Sequence, residues 1–161
     1  MTPRYCIDTA GPQEIMRHLV ACDATFHPSL SARVDLADYA RKLAQNATRF
    51  EARSDGRLIG LVAVYCNAAD RGTAFVSNVS VDPGHMRQGI ARLLLQTCIA
   101  HVQNLTFKRL SLEVDPAALP AMRLYQALGF VPETRQPTAL LRLSLEFGLS
   151  VLRPEDTPLD S

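Results

Sequence analysis

Hydrophobic and polar positions change their period several times along the chain, and each change marks an element. Arg4 to Thr9 reads as a first strand that stops at Ala10-Gly-Pro12, where Pro12 suits the first turn of a helix. Ile15, Leu19, Cys22 and Phe26 then recur at spacings of four, three and four. That stripe predicts an amphipathic helix, broken at His27-Pro28. Beyond the polar segment Ser29 to Arg33, Asp35 is placed to N-cap a second helix carrying Leu36, Tyr39, Leu43 and Ala47 on one side. Arg49 to Arg53 and Leu58 to Tyr65 read as strands, and Asp55-Gly56 between them is a strong hairpin signal. A turn at Asn67 to Gly72 leads into a strand from Thr73 to Val81, completing an antiparallel meander. The remainder alternates: helix 89 to 103, strand 109 to 114, helix 120 to 128, strand 130 to 135, and a last strand from Thr138 to Leu145. Gly129 stands where a helix commonly ends on a left-handed residue. With no internal repeat or linker, residues 1 to 152 read as one domain, and 153 to 161 as a disordered tail. A meander followed by βαβ-like alternation predicts a mixed α/β or α+β sheet flanked by helices.

The densest signal is the passage from strand to helix at Val79-Ser-Val-Asp-Pro-Gly-His-Met-Arg-Gln-Gly-Ile-Ala-Arg-Leu-Leu-Leu95. Pro83 and Gly84 stop the strand, and Gly89, having no Cβ, lets the backbone approach a ligand closely. Ile90, Leu93, Leu94, Thr97, Cys98 and His101 then predict a buried helix face. A helix entered through a glycine-containing loop leaves several N–H groups without intrahelical partners, and its dipole adds positive potential at the same end. Phosphates bind such ends, and Arg87 and Arg92 would add charge-assisted contacts. The other reading of the same residues is an ordinary corner with two solvated arginines.

Composition excludes more than it selects. In 161 residues, 47% are hydrophobic and 20% charged, with a net charge of +1. This is one soluble globular domain with enough apolar sequence for a core. It gives no reason to expect a nucleic acid or an anionic membrane as partner. Cys6, Cys22, Cys66 and Cys98 form no CxxC pair and sit in apolar patterns. They read as buried thiols in a reducing, cytoplasmic setting. The N-terminus shows no secretory signal, and the longest apolar run, Leu58 to Cys66, is strand length. No histidine pair has metal-ligand spacing, so no metal is expected, and His18, His27, His85 and His101 each read as structural.

Two side chains stand out. In the strand from Arg109 to Asp115, Leu110, Leu112 and Val114 fall on one face and Glu113 on the other. A carboxylate there faces solvent or a cleft, and could remove a proton from an ammonium before attack. Tyr125 lies on the helix 120 to 128 with Met122 and Leu128, and its phenol is protonated near neutral pH. The plainer readings are a solvated sheet-face glutamate and a core tyrosine. Asn78 reads as structural. If the first two helices fold over the sheet, Phe26, Pro28, Tyr39 and Lys42 would line a substrate wall.

The string Met86-Arg-Gln-Gly-Ile-Ala91, with the strand and proline turn before it, resembles the acetyl-CoA pyrophosphate loop of the GNAT superfamily of N-acetyltransferases. A second block, Leu110-Ser-Leu-Glu-Val114 leading into Ala121-Met-Arg-Leu-Tyr-Gln-Ala-Leu-Gly-Phe130, is similar to the family's downstream region. The resemblance implies the GNAT fold, a mostly antiparallel sheet splayed at its central strands. It implies acetyl-CoA as cosubstrate, held by the main chain of Val79, Ser80 and Val81 and by Arg87, Gln88, Gly89, Ile90, Ala91 and Arg92. It implies Tyr125 as the proton donor to CoA and Glu113 as general base. The twelve residues from Glu113 to Tyr125 are similar to the interval in the ribosomal-protein alanine N-acetyltransferase branch. Met86, Ala118 and Asp115 depart from the usual pattern, at a Gln/Arg, an Asn and an Arg position respectively. The activity implied is transfer of acetyl to a primary amine of a small molecule. A peptide N-terminus is the alternative acceptor, a non-catalytic CoA-binding sensor the alternative class, and homodimerisation is left open.

Overall fold

A computed structural model describes residues 2–26, 28–136 and 139–147. Seven strands, β1 (Arg4–Ile7), β2 (Thr48–Ser54), β3 (Arg57–Tyr65), β4 (Thr73–Val81), β5 (Arg109–Val114), β6 (Val131–Pro132) and β7 (Leu141–Glu146), form one sheet in the order β1-β2-β3-β4-β5-β7-β6. The helices are α1 (Pro12–Cys22), α2 (Leu36–Asn46), α3 (Ile90–Asn104) and α4 (Leu119–Ala127). This is the mixed sheet flanked by helices that the residue pattern predicts, and it is mostly antiparallel, as the resemblance implies. The chain forms two compact units, Met1–Tyr65 with Val76–Cys98, and Cys66–Phe75 with Ile99–Ser161.

In the first unit, β1, β2 and β3 pair antiparallel. Ile15 and Leu19 of α1, Ala40 and Leu43 of α2, and Leu58, Leu61 and Ala63 of β3 share a buried core. Asp55 and Gly56 both have positive φ, 53° and 75°, the geometry of a two-residue type I′ hairpin that matches strand twist. Asp35 caps α2 as its side chain suggests, accepting from the Asp38 N–H at 3.0 Å. At the other end the buried Arg49 guanidinium donates to the carbonyls of Leu43, Ala44 and Ala47, satisfying groups the helix leaves open.

Two expectations for this unit are corrected. The first helix ends at Cys22, and a 3-10 turn covers Asp23–Thr25. Asp23 is drawn away by accepting from the Ser31 N–H and hydroxyl at 2.8 and 2.6 Å, so the stop precedes Pro28. His27 lies outside the described residues. In α3, Leu93 is 42% exposed, and Thr97 is exposed as well. The buried set is Ile90, Leu94, Leu95, Cys98 and Val102. Three consecutive leucines fit either phase of a 3.6-residue period. Packing against β3 decides between them: a Cβ on Gly60 would lie 2.8 Å from Ile90 Cγ2 and 3.3 Å from Leu94 Cδ1.

In the second unit, β5 pairs with β7 and β6 with β7, all antiparallel. Direct partners share a face, so Leu110, Leu112 and Val114 join Leu145, Leu143 and Leu141 on one side. Ser111 and Glu113 join Ser144 and Arg142 on the other. The turn ending α4 lies on the apolar side, where a Cβ on Gly129 would come within 3.1 Å of Leu145 Cδ1. The strand expected over 130 to 135 shrinks to Val131–Pro132. Proline has no N–H for the ladder. Beyond it Gln136 bridges instead, donating to the Glu133 and Arg142 carbonyls and accepting from the Arg142 N–H. Thr138, the expected start of the last strand, and the tail 153–161 lie outside the described residues.

Candidate functional site

The turn into α3 is built around Asp82. Its N–H donates to the Ile59 carbonyl at 2.8 Å, and its carboxylate takes the Gly84 N–H at 3.2 Å and His85 Nδ1 at 3.1 Å. Partial burial pushes the Asp82 carboxyl up, but hydrogen bonds from His85 and the charge of Arg57 outweigh it and hold the group below the usual carboxylate range. The Asp-Pro-Gly string carries this signal, since an Asp side chain commonly closes such turns onto its own backbone.

After the turn, Arg87 has φ 64° and Gly89 φ 78°. Two left-handed residues one apart bring the chain into α3, whose first bond runs from the Leu93 N–H to the Gly89 carbonyl at 3.1 Å. The amides of Gly89, Ile90, Ala91 and Arg92 therefore precede the helical ladder. A Cβ on Gly89 would touch no atom within 4 Å. The glycine is needed here for its φ, not for room within the protein. Arg87, Gln88, Gly89 and Arg92 are exposed, Ala91 is half-buried, and Ile90 faces inward. Ile90 can offer a ligand only its N–H.

On β4, Asn78 and Ser80 are buried while Val79 and Val81 are half-buried. The Ser80 hydroxyl donates to Asn78 Oδ1 at 2.7 Å and stands 2.9 Å from His18 Nε2. Having spent its proton on Asn78, it must accept from His18, which fixes Nε2 as the protonated nitrogen. The Cys22 thiol lies beside the same ring, 3.6 Å from Nε2 and 3.8 Å from Nδ1. Burial pushes His18 down to about 4, against the opposing pull of Asp82, and pushes the Cys22 thiol up to about 12. His18 is thus the satisfied structural histidine its position suggested, but its link to β4 is new. Because the Ser80 side chain is committed inward, only its main chain remains for a ligand. The Tyr39 hydroxyl also reaches β4, donating to the Ser77 carbonyl at 2.9 Å. Burial raises its pKa against hydrogen bonds from Ser77 and Asn78. Of the expected wall, Tyr39 and Lys42 line one recess with Val34, Asp35 and Asp38. Phe26 packs against the core instead, and Pro28 is exposed.

In the second unit, Tyr125 is buried in α4 with its ring edge-on to Phe130, centroids 6.0 Å apart. Burial pushes its phenol well above the usual range, so it stays protonated at any ordinary pH. Gly129 has φ 100°. Its N–H donates to the Gln126 carbonyl and that of Phe130 to the Tyr125 carbonyl, both at 3.0 Å. This paired stop, with its apolar contact across the bonds, clamps Tyr125 from backbone and ring at once. Glu113 is half-buried on the other face of β5, opposite Arg142 in the β7 register. The Arg142 guanidinium sits over Phe75, 5.3 Å from the ring centre, and its Nε is 3.6 Å from Glu133 Oε2. Glu133 in turn accepts from the buried Ser111 hydroxyl at 2.9 Å. Glu113 is thus on the side of β5 away from the turn that ends α4. Arg142, absent from the residue pattern's candidates, is its direct partner in the β5–β7 register. Ala118, at the N-cap of α4, makes no side-chain cap bond.

Among the described residues no group of three or more His, Cys, Asp and Glu could hold a metal. No helix there is long and apolar enough to cross a membrane. None of the four cysteines is in a disulfide; Cys22 and Cys98 are buried, Cys6 and Cys66 half-buried.

The sequence profile of the Acetyltransferase (GNAT) family matches residues 13–130. The chain belongs to the GNAT acetyltransferase family. It is 36% identical over 81 residues to a mycothiol acetyltransferase of Thermomonospora curvata, covering 50% of this chain and 27% of that protein. It is 30% identical over 92 residues to the [ribosomal protein bS18]-alanine N-acetyltransferase of Escherichia coli, covering 57% of this chain and 60% of that protein. The match thus spans less than two thirds of either relative. Among solved structures, the PaiA N-acetyltransferase of Thermoplasma acidophilum in complex with coenzyme A shares the GNAT fold. Its TM-score is 0.67 at 12% identity, over 89% of this chain and 99% of that one.

Proposed function

We propose that the protein transfers acetyl from acetyl-CoA to a primary amine of a small molecule, directly and without a covalent enzyme intermediate. The observation that carries this reading is the turn into α3 of a GNAT chain. Left-handed Arg87 and Gly89 lead there into four amides that precede the helical ladder. These N–H groups and the helix dipole suit a pyrophosphate. The main chain of Val79, Ser80 and Val81 would pair with the amides of the pantetheine arm, as a ligand adding to a strand. Glu113, or a water it orders, takes the proton from the incoming ammonium. The amine nitrogen bonds to the acetyl carbon as the C–S bond breaks, and Tyr125 protonates the leaving sulfur.

The bS18-alanine N-acetyltransferase of Escherichia coli among the relatives, with the similar interval between Glu113 and Tyr125, supports a second acceptor class, a peptide N-terminus. The test has two parts. Acetyl-CoA at about a hundred times its Kd should add roughly 2.7 kcal/mol of stability, read as a rise of several degrees in Tm. CoA release is then followed with amino sugars, amino acids, polyamines and short peptides as acceptors. Turnover on small amines supports the proposal, and turnover on peptides alone moves it to the second class. A Tm rise without turnover on any of them would favour the CoA-binding sensor, and no rise at millimolar acetyl-CoA would refute the donor site.

A further inference from the structure

Along α1 the buried stripe of Ile15, Leu19 and Cys22 is joined by one side chain that packing alone does not require. His18 is 4% exposed. It stands three residues past Ile15 and four before Cys22, so it shares their face of the helix. A buried imidazole costs stability unless its nitrogens are paired, and a leucine would fill the same space without that cost. What the ring adds is direction. An apolar contact sets how closely a helix and a strand approach, whereas a hydrogen bond also fixes the orientation of the group it meets.

That group is on β4. His18 Nε2 stands 2.9 Å from the Ser80 hydroxyl, which is itself turned onto Asn78 Oδ1 at 2.7 Å. Burial pushes the ring down while Asp82 and the main chain of Leu58 and of Ser80 hold it up, so the imidazole lies against β3 and β4 together. From α2 the Tyr39 hydroxyl donates to the Ser77 carbonyl at 2.9 Å. β4 is therefore pinned at Ser77 and at Ser80, on both sides of Val79. Further along, the Asp82 N–H is spent on the Ile59 carbonyl of β3 at 2.8 Å. Main-chain groups alternate in direction along a strand. Those of Ser80 thus turn towards β3, and those of Val79 and Val81 turn away from it.

We propose that His18 is a positioning residue for the donor site: by holding Ser80, it sets the angle at which Val79 and Val81 offer their main-chain groups to the pantetheine arm. This rests on the donor site proposed above and narrows its strand contact to those two valines. The turn into α3 has supports of its own, since the Asp82 carboxylate holds the Gly84 N–H and His85. His18 therefore governs the strand contact and not the turn.

The test separates the two parts of the donor. Acetyl-CoA uses strand and turn, while the phosphorylated ADP half of CoA, which lacks the pantetheine arm, uses the turn alone. Calorimetry gives the Kd of acetyl-CoA, and displacement of acetyl-CoA gives that of the ADP half. His18→Leu should weaken acetyl-CoA about tenfold, the size of one lost hydrogen bond. It should leave the Kd of the ADP half within a factor of about two, as for an independent site. His18→Gln can place a side-chain N–H where Nε2 stands, and should recover most of the acetyl-CoA affinity. Should His18→Leu fail to fold, Ser80→Ala removes the same bond from the strand side and should show the same split between ligands. Equal losses for both ligands, no loss for either, or a glutamine variant as weak as the leucine one would overturn the proposal. Wild-type protein that binds neither ligand would refute the donor site and the proposal with it, an outcome distinct from a site that binds both and ignores His18.

Discussion

The turn into α3 offers main-chain groups to a ligand, where β5 and α4 offer side chains. At the turn, Ile90 faces the core and a Cβ on Gly89 would meet open space. Little there depends on what side chain a position carries, and much on which φ it can adopt. In the second unit the reverse holds. The backbone is ordinary strand and helix, and the proposed chemistry resides in one phenol and one carboxylate. A site made of amides should tolerate changes of residue that preserve the path of the chain, and a site made of functional groups should not.

The sharpest way to break this comparison is Tyr125→Phe. It keeps the ring against Phe130 and removes only the hydroxyl, so kcat should fall about a hundred- to a thousandfold while acetyl-CoA affinity stays within a factor of about two. An unchanged kcat would reduce Tyr125 to packing. Next in size is the pH dependence that His18 imposes under β4. In the fold His18 is pushed down to about 4, from 6.5 for an ordinary imidazole. Between those values the unfolded chain binds the extra proton. The contribution to stability is therefore complete above about pH 6.5 and is lost as pH falls towards 4. The loss is on the order of 3 kcal/mol, and Tm measured across that range should flatten in His18→Gln.

Two glycines then separate path from packing. Gly60→Ala forces a methyl against Ile90, whose branched side chain has little room to turn. It should cost about 1–3 kcal/mol of stability and weaken acetyl-CoA binding by shifting the first turn of α3. Gly89→Ala meets no steric obstacle but must hold a left-handed φ. It should cost about 1 kcal/mol and raise the Kd for acetyl-CoA roughly tenfold. The smallest effect belongs to Arg87→Ala: if amides carry the pyrophosphate, the Kd should rise less than about fivefold, the size of one exposed charge contact. A hundredfold loss there would mean that the turn works through its side chains after all.

How much of this was legible in the residues follows the same division. β4 and β5 fall where the alternation put them, the Asp55-Gly56 turn has the dihedrals its dipeptide predicts, and Asp35 caps α2. These are local matters, decided by a few neighbouring residues. The phase of α3 was not legible, because Leu93-Leu-Leu95 is consistent with two faces and only the approach of Gly60 chooses. The link from His18 to Ser80 joins positions far apart in the chain, and so do Tyr39 with Ser77 and Glu113 with Arg142. No periodicity encodes such a pair, since it depends on sheet register and on how a helix crosses it. Glu113 could be placed on a polar face but not opposite Arg142. Asp82 is the exception: its role is written locally in Asp-Pro-Gly, where the carboxylate closes the turn onto the Gly84 N–H and His85.

The paired stop at the end of α4 works as a ruler. Tyr125 sits four residues before Gly129, and the two bonds that end the helix count from Gly129 backwards. One residue inserted between them would turn the phenol about 100° around the helix axis and slide it about 1.5 Å along it, with every side chain still present. Spacing here is therefore as much a part of the chemistry as identity. A library that varied Gln126 to Leu128 in kind but not in number would retain function far more often than one that varied their number.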